Sequence, residues 1–214
     1  MKKIGAITCN WNGERFIVPH LKMMTGIDRQ IVIQGTAPWG DYKDEYGLSE
    51  KPDDSEKLVK DMGVEVYPAC QNKFGPELYN QGLEILKDCD IVLRLDYDMF
   101  LTQKDWKRLI EFIRNTKWDC YLLNFNKCTI NYYADFNHGL QNAREFDPIA
   151  FSPEFRLEKP FKYPYGSHYT IDWDDFLIHH FRGFKGKEID VGYTEQRFKN
   201  VNWLKCPEEI REML

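Results

Sequence analysis

The chain has 214 residues, enough to bury one sizeable core, with 43% hydrophobic and 15% aromatic residues and a formal charge of −5. That composition excludes a disordered chain, and the acidic balance excludes a general nucleic-acid coat. No apolar run reaches membrane-span length, and the opening MKKIGAITCNWNG has too short an apolar stretch before Asn10 and Asn12 for a secretory leader, so a cytoplasmic, single-domain protein is expected.

The cysteines Cys9, Cys70, Cys89, Cys120, Cys128 and Cys206 form no CxxC pair and several sit in apolar runs. Free thiols in a reducing compartment are the expectation.

In chain order, KIGAITC at 3 to 9 predicts a strand, residues 14 to 24 a helix, and QIVIQG at 30 to 35 a second strand. A long excursion rich in Gly, Pro and acids follows, of the kind that borders a site. SEKLVKDMG predicts a short helix ended by Gly63, and VEVYP a third strand. Gly75 and Pro76 open a helix with proline at its tolerated first position, and Tyr79, Leu83 and Leu86 recur on one face. The alternation of strand and helix signals a mostly parallel sheet flanked by helices.

The next run, DIVLRLDYDMF, is apolar enough for a strand covered on both sides, and it stops at Asp96 and Asp98. Beyond it, Thr102 and Asp105 resemble a capping box, and Trp106, Leu109, Ile110 and Ile113 fall on one helical face. The two carboxylates therefore belong to a strand-to-helix turn at the carboxyl end of the sheet, expected to face solvent, where open α/β sheets bind ligands. Carboxylates held this close repel unless they share a proton or gather around a cation, and a hard divalent ion suits neutral pH. The alternative is a pair of solvated turn residues.

The second half is strand-rich at 118 to 133 and 147 to 155, irregular with many aromatics from about 134 to 170, and then reads DWDDFLIHHFRGFKG, a further apolar strand ending in polar groups. His179 and His180 point to opposite faces of such a strand, so at most one of them can face a metal; His180 is the choice, with a purely structural pair as the alternative. Residues 182 to 205 hold six basic and three acidic side chains. Arg182 and Lys185 can pair with phosphate oxygens.

This order of features resembles GT-A glycosyltransferases, the family 2-like nucleotide-sugar transferases in particular. The segment AITCNWNGERFIVPHL is similar to that family's opening strand and first helix, and FGPELYNQGLEILKDCDIVLRLDYDMFLT to its helix, strand and Asp-X-Asp block. FRLEKPFKYPYGSHY and LIHHFRGF are similar to its later arginine-leucine and histidine segments. The resemblance implies Mn²⁺ or Mg²⁺ and a nucleotide-sugar donor, a UDP-sugar, with Asp96, Asp98 and His180 at the metal. It implies Thr8, Asn10, Gln34, Asn80 and Asp96, together with Arg182 and Lys185, at the donor. It divides the domain into a nucleotide-sugar-binding half at 1–100 and an acceptor side with a C-terminal lid at 101–214.

Gln34 stands where the family commonly carries an aspartate, which leaves the donor base open. An inverting transfer needs a base for the acceptor hydroxyl, normally a carboxylate. Asp174 and Asp175, beside Asp172, are the candidates, with Glu154 and Glu158 near the acceptor edge. Trp11, Trp39 and Trp173 are candidates for stacking on sugar or base, and His168 for an acceptor-site residue, with core filling and an ordinary loop histidine as the alternatives. The acceptor stays open among glycans, proteins, small molecules and a modified nucleic-acid base.

Three other readings compete. A sugar-phosphate nucleotidyltransferase wants a glycine-rich cradle after the first strand, where TCNWNG has one glycine. An Asp-X-Asp phosphatase wants its pair after the first strand, whereas this pair follows the fourth. A non-catalytic sugar- or nucleotide-binding protein is separated from an enzyme by turnover alone.

Overall fold

The structure is a computed structural model that describes residues 1–36, 51–71, 75–115, 122–125, 129–133, 142–143, 147–154, 168–171, 178–182 and 206–214. Its first half runs β1 (Ile4–Asn10), α1 (Glu14–Met23), β2 (Arg29–Gln34), α2 (Ser55–Asp61), β3 (Glu65–Pro68), α3 (Pro76–Ile85), β4 (Ile91–Arg94), β5 (Met99–Phe100) and α4 (Gln103–Asn115). There follow β6 (Leu122–Phe125), β7 (Thr129–Tyr133), β8 (Asn142–Ala143), β9 (Asp147–Phe151), β10 (His168–Ile171), β11 (Ile178–Arg182) and α5 (Glu208–Met213).

The strands form a seven-stranded sheet in the order β10-β6-β9-β4-β1-β2-β3 and a four-stranded sheet in the order β5-β11-β7-β8. Strands β3, β2, β1 and β4 are mutually parallel, while β9 inserts antiparallel between β4 and β6. The span from 134 to 170 is thus less irregular than its composition suggests, since β8, β9 and the start of β10 fall within it.

Period-two alternation in the central strands serves two cores at once, which is why their sequences read as continuous apolar runs. Ile4, Ala6, Val32, Leu93 and Leu95 pack with Phe16, Ile17 and Leu21 of α1 and with Trp106, Leu109 and Ile113 of α4. Ile7, Cys9, Ile31, Ile33 and Val92 face the other way, against Leu78, Tyr79 and Leu83 of α3. Trp11 is 3% exposed within this second core, in keeping with the core-filling alternative. Cys9, Cys89 and Cys206 are buried free thiols and Cys70 is an exposed one.

The helix boundaries follow the predicted chemistry. Thr102 caps α4 through its hydroxyl, which accepts the Asp105 N–H at 3.1 Å, and Gly63 takes φ +75° just after α2, the left-handed conformation that glycine adopts without steric cost. α1 starts at Gly13, which has no side chain to cap it; Asp53 supplies the missing group from elsewhere. One oxygen of Asp53 accepts the Glu14 N–H and the other the Ser55 N–H, both at 2.9 Å, so a single carboxylate serves the first turns of α1 and α2. Asn12 completes the clasp from a left-handed φ of 53°, donating to the Lys51 carbonyl at 2.7 Å and accepting the Asp53 N–H at 2.9 Å. The far end of the acidic excursion is thereby pinned beside the β1–α1 turn.

At the amino edge of the sheet Arg29 makes a bidentate pair with Glu65 at 2.7 and 2.8 Å and also reaches Asp88, which pairs with Lys3. The Arg29 guanidinium, with help from the Tyr67 hydroxyl, holds the Glu65 carboxyl down at about 2. A carboxylate with a depressed folded-state pKa contributes stability above its unfolded value and loses it as pH falls through the folded one. Urea unfolding between about pH 4.5 and pH 2 is therefore expected to include a small loss from this pair, below about 1 kcal/mol because Glu65 is 43% exposed and screened. Arg29→Met is expected to flatten that part of the profile; an unchanged slope would show that the pair is energetically silent.

Candidate active site

β4 delivers its carboxyl end to the centre of the parallel sheet, flanked by β1 and β9. Residues 95 to 98 then turn sharply, with the Met99 N–H donating to the Asp96 carbonyl at 2.9 Å, and lead into the short β5 before α4 begins. The turn does not face solvent as its composition suggests. Asp96 is 9% exposed and Asp98 fully buried. The Phe181 N–H donates to the Asp98 carbonyl at 2.9 Å, and His179 and His180 lie in register with Phe100 and Met99.

Polar side chains approach the turn from both sides of the sheet. Asp96 follows the parity of Val92 and Arg94 and leans toward α3, where the Tyr79 hydroxyl donates to its Oδ1 at 2.8 Å. Arg94 Nη2 lies 3.9 Å from the other oxygen, and the guanidinium stacks over the Tyr79 ring with Cζ 4.2 Å from the centroid. On the α1 side His20 sits fully buried behind the turn. Its Nδ1 is 3.0 Å from the Met99 carbonyl and its Nε2 is 3.1 Å from the Thr8 hydroxyl. Burial pushes this imidazole down to about 4 against the pull of Asp98 and Asp96, so it is neutral at pH 7. The neutral ring donates from Nδ1 and accepts the threonine proton at Nε2.

At the ends of β1 and β2 a buried amide network continues the edge. Asn10 Nδ2 donates to Gln34 Oε1 at 2.8 Å and lies 2.9 Å from the Ser55 hydroxyl. Gln34 Nε2 approaches the Gly35 carbonyl at 3.4 Å, which orients the glutamine. Gly13 is required here by close approach, since a Cβ would meet Asn10 Oδ1 at 2.2 Å and the Tyr97 ring at 2.9 Å.

Of the residues singled out from the sequence, Thr8, Asn10, Gln34, Asp96 and Asp98 converge on this edge, and Asn80 is half-buried on α3, next to Tyr79. The backbones of His180 and Arg182 lie in β11 beside the turn; their side chains, and all of Lys185, Asp172, Asp174, Asp175, Glu158, Trp39 and Trp173, lie outside the described residues. His179 is 1% exposed and burial pushes it down to about 4. His168 begins β10, in register with Leu122, and Glu154 is exposed.

Sequence reasoning missed His20, Arg94 and the hydroxyl of Tyr79. Two of the three carried a signal. His20 interrupts the apolar stripe of Phe16, Ile17 and Leu21, and Arg94 interrupts a strand covered on both faces, where a charge needs a partner.

As a donor set, Asp96 and Asp98 suit a hard divalent cation: both offer oxygen and both sit where an unshared negative charge is costly. Among the described residues no third His, Cys, Asp or Glu joins them in a cluster.

The sheet order, the two helical layers and the carboxylate turn at the end of β4 define an α/β protein of GT-A-like fold. The solved structure of S. aureus TarS, residues 1–349, is similar over 99% of this chain and 77% of that one, with TM-score 0.54 and 12% identity. A longer TarS structure matches over 92% of this chain and 42% of that one, with TM-score 0.54 and 11% identity. Glucosyl-3-phosphoglycerate synthase from Mycobacterium tuberculosis, in complex with Mn²⁺, UDP and phosphoglyceric acid, aligns over 61% of this chain with TM-score 0.44 and 15% identity. The chain spans 43% of that synthase's length. No protein-family model and no curated protein matches the sequence. No helix among the described residues is long and apolar enough to cross a membrane.

Proposed function

We propose that the protein is a metal-dependent glycosyltransferase that moves a sugar from a nucleotide-sugar donor, a UDP-sugar, to an acceptor hydroxyl with inversion. The observation that carries this reading is the pair of buried carboxylates at the carboxyl end of β4, on a GT-A-like sheet, with the histidine strand β11 hydrogen-bonded to the same turn. Asp98 and Asp96, with His180, would hold Mn²⁺ or Mg²⁺. When bound, that ion neutralises the charge that develops on the diphosphate leaving group.

The chain's own residues supply the rest. Neutral His20 ties α1 to the β5 backbone and so fixes the turn without adding charge to it. The Asn10–Gln34–Ser55 network forms a rigid, uncharged wall at the nucleoside end, with Asn80 nearby. Arg182 and Lys185 bind the diphosphate, and Asp174 or Asp175 takes the acceptor proton. All act within one domain, whose donor half is 1–100 and whose acceptor side and lid are 101–214.

A mass-spectrometric survey of nucleotide-sugar hydrolysis with Mn²⁺ tests the reading. Release of a nucleoside diphosphate from one donor is expected, and inertness across the panel, with and without acceptors, would sink it. Within β11, His180→Ala is expected to cost far more activity than His179→Ala, at least about tenfold more. Equal small effects would return both histidines to packing. Bound nucleoside diphosphate and Mn²⁺ are also expected to slow amide exchange across 182–205; unchanged exchange at saturation would remove the lid.

A further inference from the structure

Arg94 is a charged side chain at the end of a buried strand. Its neighbours along the chain, Val92, Leu93 and Leu95, are all at most 1% exposed, and Arg94 itself is 6% exposed. A buried ion pair adds little stability over an apolar residue of the same size, so packing alone does not account for it. Its placement is specific, with Cζ 4.2 Å over the Tyr79 ring and Nη2 3.9 Å from Asp96, whose other oxygen takes the Tyr79 hydroxyl at 2.8 Å. The three side chains form a closed triangle, and one corner is the first carboxylate of the turn.

We propose that Arg94 is a resident counter-charge that makes the carboxylate turn accept its divalent cation together with a diphosphate rather than alone. The inference rests on the metal-site reading above and adds a positioning and charge-setting residue to it. Two aspartates by themselves would present two formal negative charges and attract a free divalent ion strongly. With Arg94 fixed beside Asp96 the turn presents a single one, and the guanidinium repels the incoming ion at close range in a poorly screened setting. Once the ion is in place the local charge is net positive, which favours a diphosphate at the same edge. Each ligand therefore raises the affinity for the other by the same factor, as linkage requires. Tyr79 keeps the geometry: its ring holds the guanidinium by cation–π contact and its hydroxyl fixes the Asp96 rotamer.

The test is Mn²⁺ binding followed by electron paramagnetic resonance on the full chain, with and without inorganic pyrophosphate. Wild type is expected to bind Mn²⁺ alone at least about tenfold more weakly than in the presence of saturating pyrophosphate, after correction for the Mn²⁺–pyrophosphate complex in solution. Arg94→Met, which keeps the length of the stem, is expected to tighten binding of Mn²⁺ alone by about tenfold and to shrink the pyrophosphate effect. Arg94→Lys keeps the charge and is expected to follow wild type.

Tight binding of Mn²⁺ alone to wild type would overturn the proposal whether or not Arg94→Met folds. So would an Arg94→Met protein with native circular dichroism and unchanged or weaker affinity for Mn²⁺ alone. Failure of the underlying reading gives a different pattern: wild type and Asp98→Asn would then show the same Mn²⁺ signal with pyrophosphate present.

Discussion

Asp98→Asn is expected to abolish Mn²⁺-dependent binding of a nucleoside diphosphate and to lower turnover at least about a hundredfold, while the fold stays intact. The amide has the shape of the carboxylate but lacks its charge, and the site is fully buried, so losing the charge removes a desolvation cost along with the ligand. In metal-free buffer the variant is therefore expected to melt at or above the wild-type temperature. Added Mn²⁺ with diphosphate should raise the wild-type midpoint alone, because a ligand that binds only the folded state stabilises it by mass action. Thermal shift and calorimetry on the same samples decide the matter. A variant that still binds diphosphate with unchanged metal dependence would falsify the role of Asp98.

Gly82→Ala carries the other large expectation, and its sign runs against helix propensity. In an exposed helix interior the change to alanine gains about 1 kcal/mol. Here Gly82 lies inside α3 against β1, and a Cβ would stand 2.5, 2.7 and 2.9 Å from three side-chain carbons of Ile7. Ile7 is 1% exposed between Tyr79, Leu83 and Leu86, so it has little room to turn away and the helix has to move. Overpacking of this kind costs about 1–3 kcal/mol. For a chain of this size that lowers the melting temperature by about 2–12 °C. Because α3 also carries Tyr79, the displacement is expected to weaken metal binding as well. A neutral or stabilising result would show that α3 is not seated on β1 as described. The double variant Gly82→Ala, Ile7→Val should recover part of the loss.

The parts of this fold that were legible in the sequence are those whose signal is local. Runs such as QIVIQ and DIVLRL name their own strands, Pro76 and Thr102 mark helix starts, and the paired aspartates announce a charge problem wherever the chain places them. What was not legible depends on pairing between distant segments. Nothing in MF at 99 and 100 says that two residues form a strand; they do so because β11 arrives from far along the chain to pair with them. The turn beside this pairing is buried, where composition alone had placed it in solvent. His20 and Arg94 needed no long-range information, only the observation that each breaks an apolar pattern that its element otherwise keeps. Gln34 in place of an acid is meaningful only beside Asn10 and Ser55, whose amide and hydroxyl occupy the space around it.

The clasp made by Asn12 and Asp53 has a consequence for engineering. The excursion between β2 and α2 leaves next to Asn10, where the Gly35 N–H donates to the Asn10 carbonyl at 2.8 Å, and it returns to Asn12 through Lys51 and Asp53. Both ends are anchored to the same short turn by bonds that do not involve the interior of the excursion. With the ends held together, each doubling of a loop costs only about 0.6 kcal/mol in closure entropy. Asn12 and Asp53 are therefore the positions to leave in place when the connection between β2 and α2 is changed.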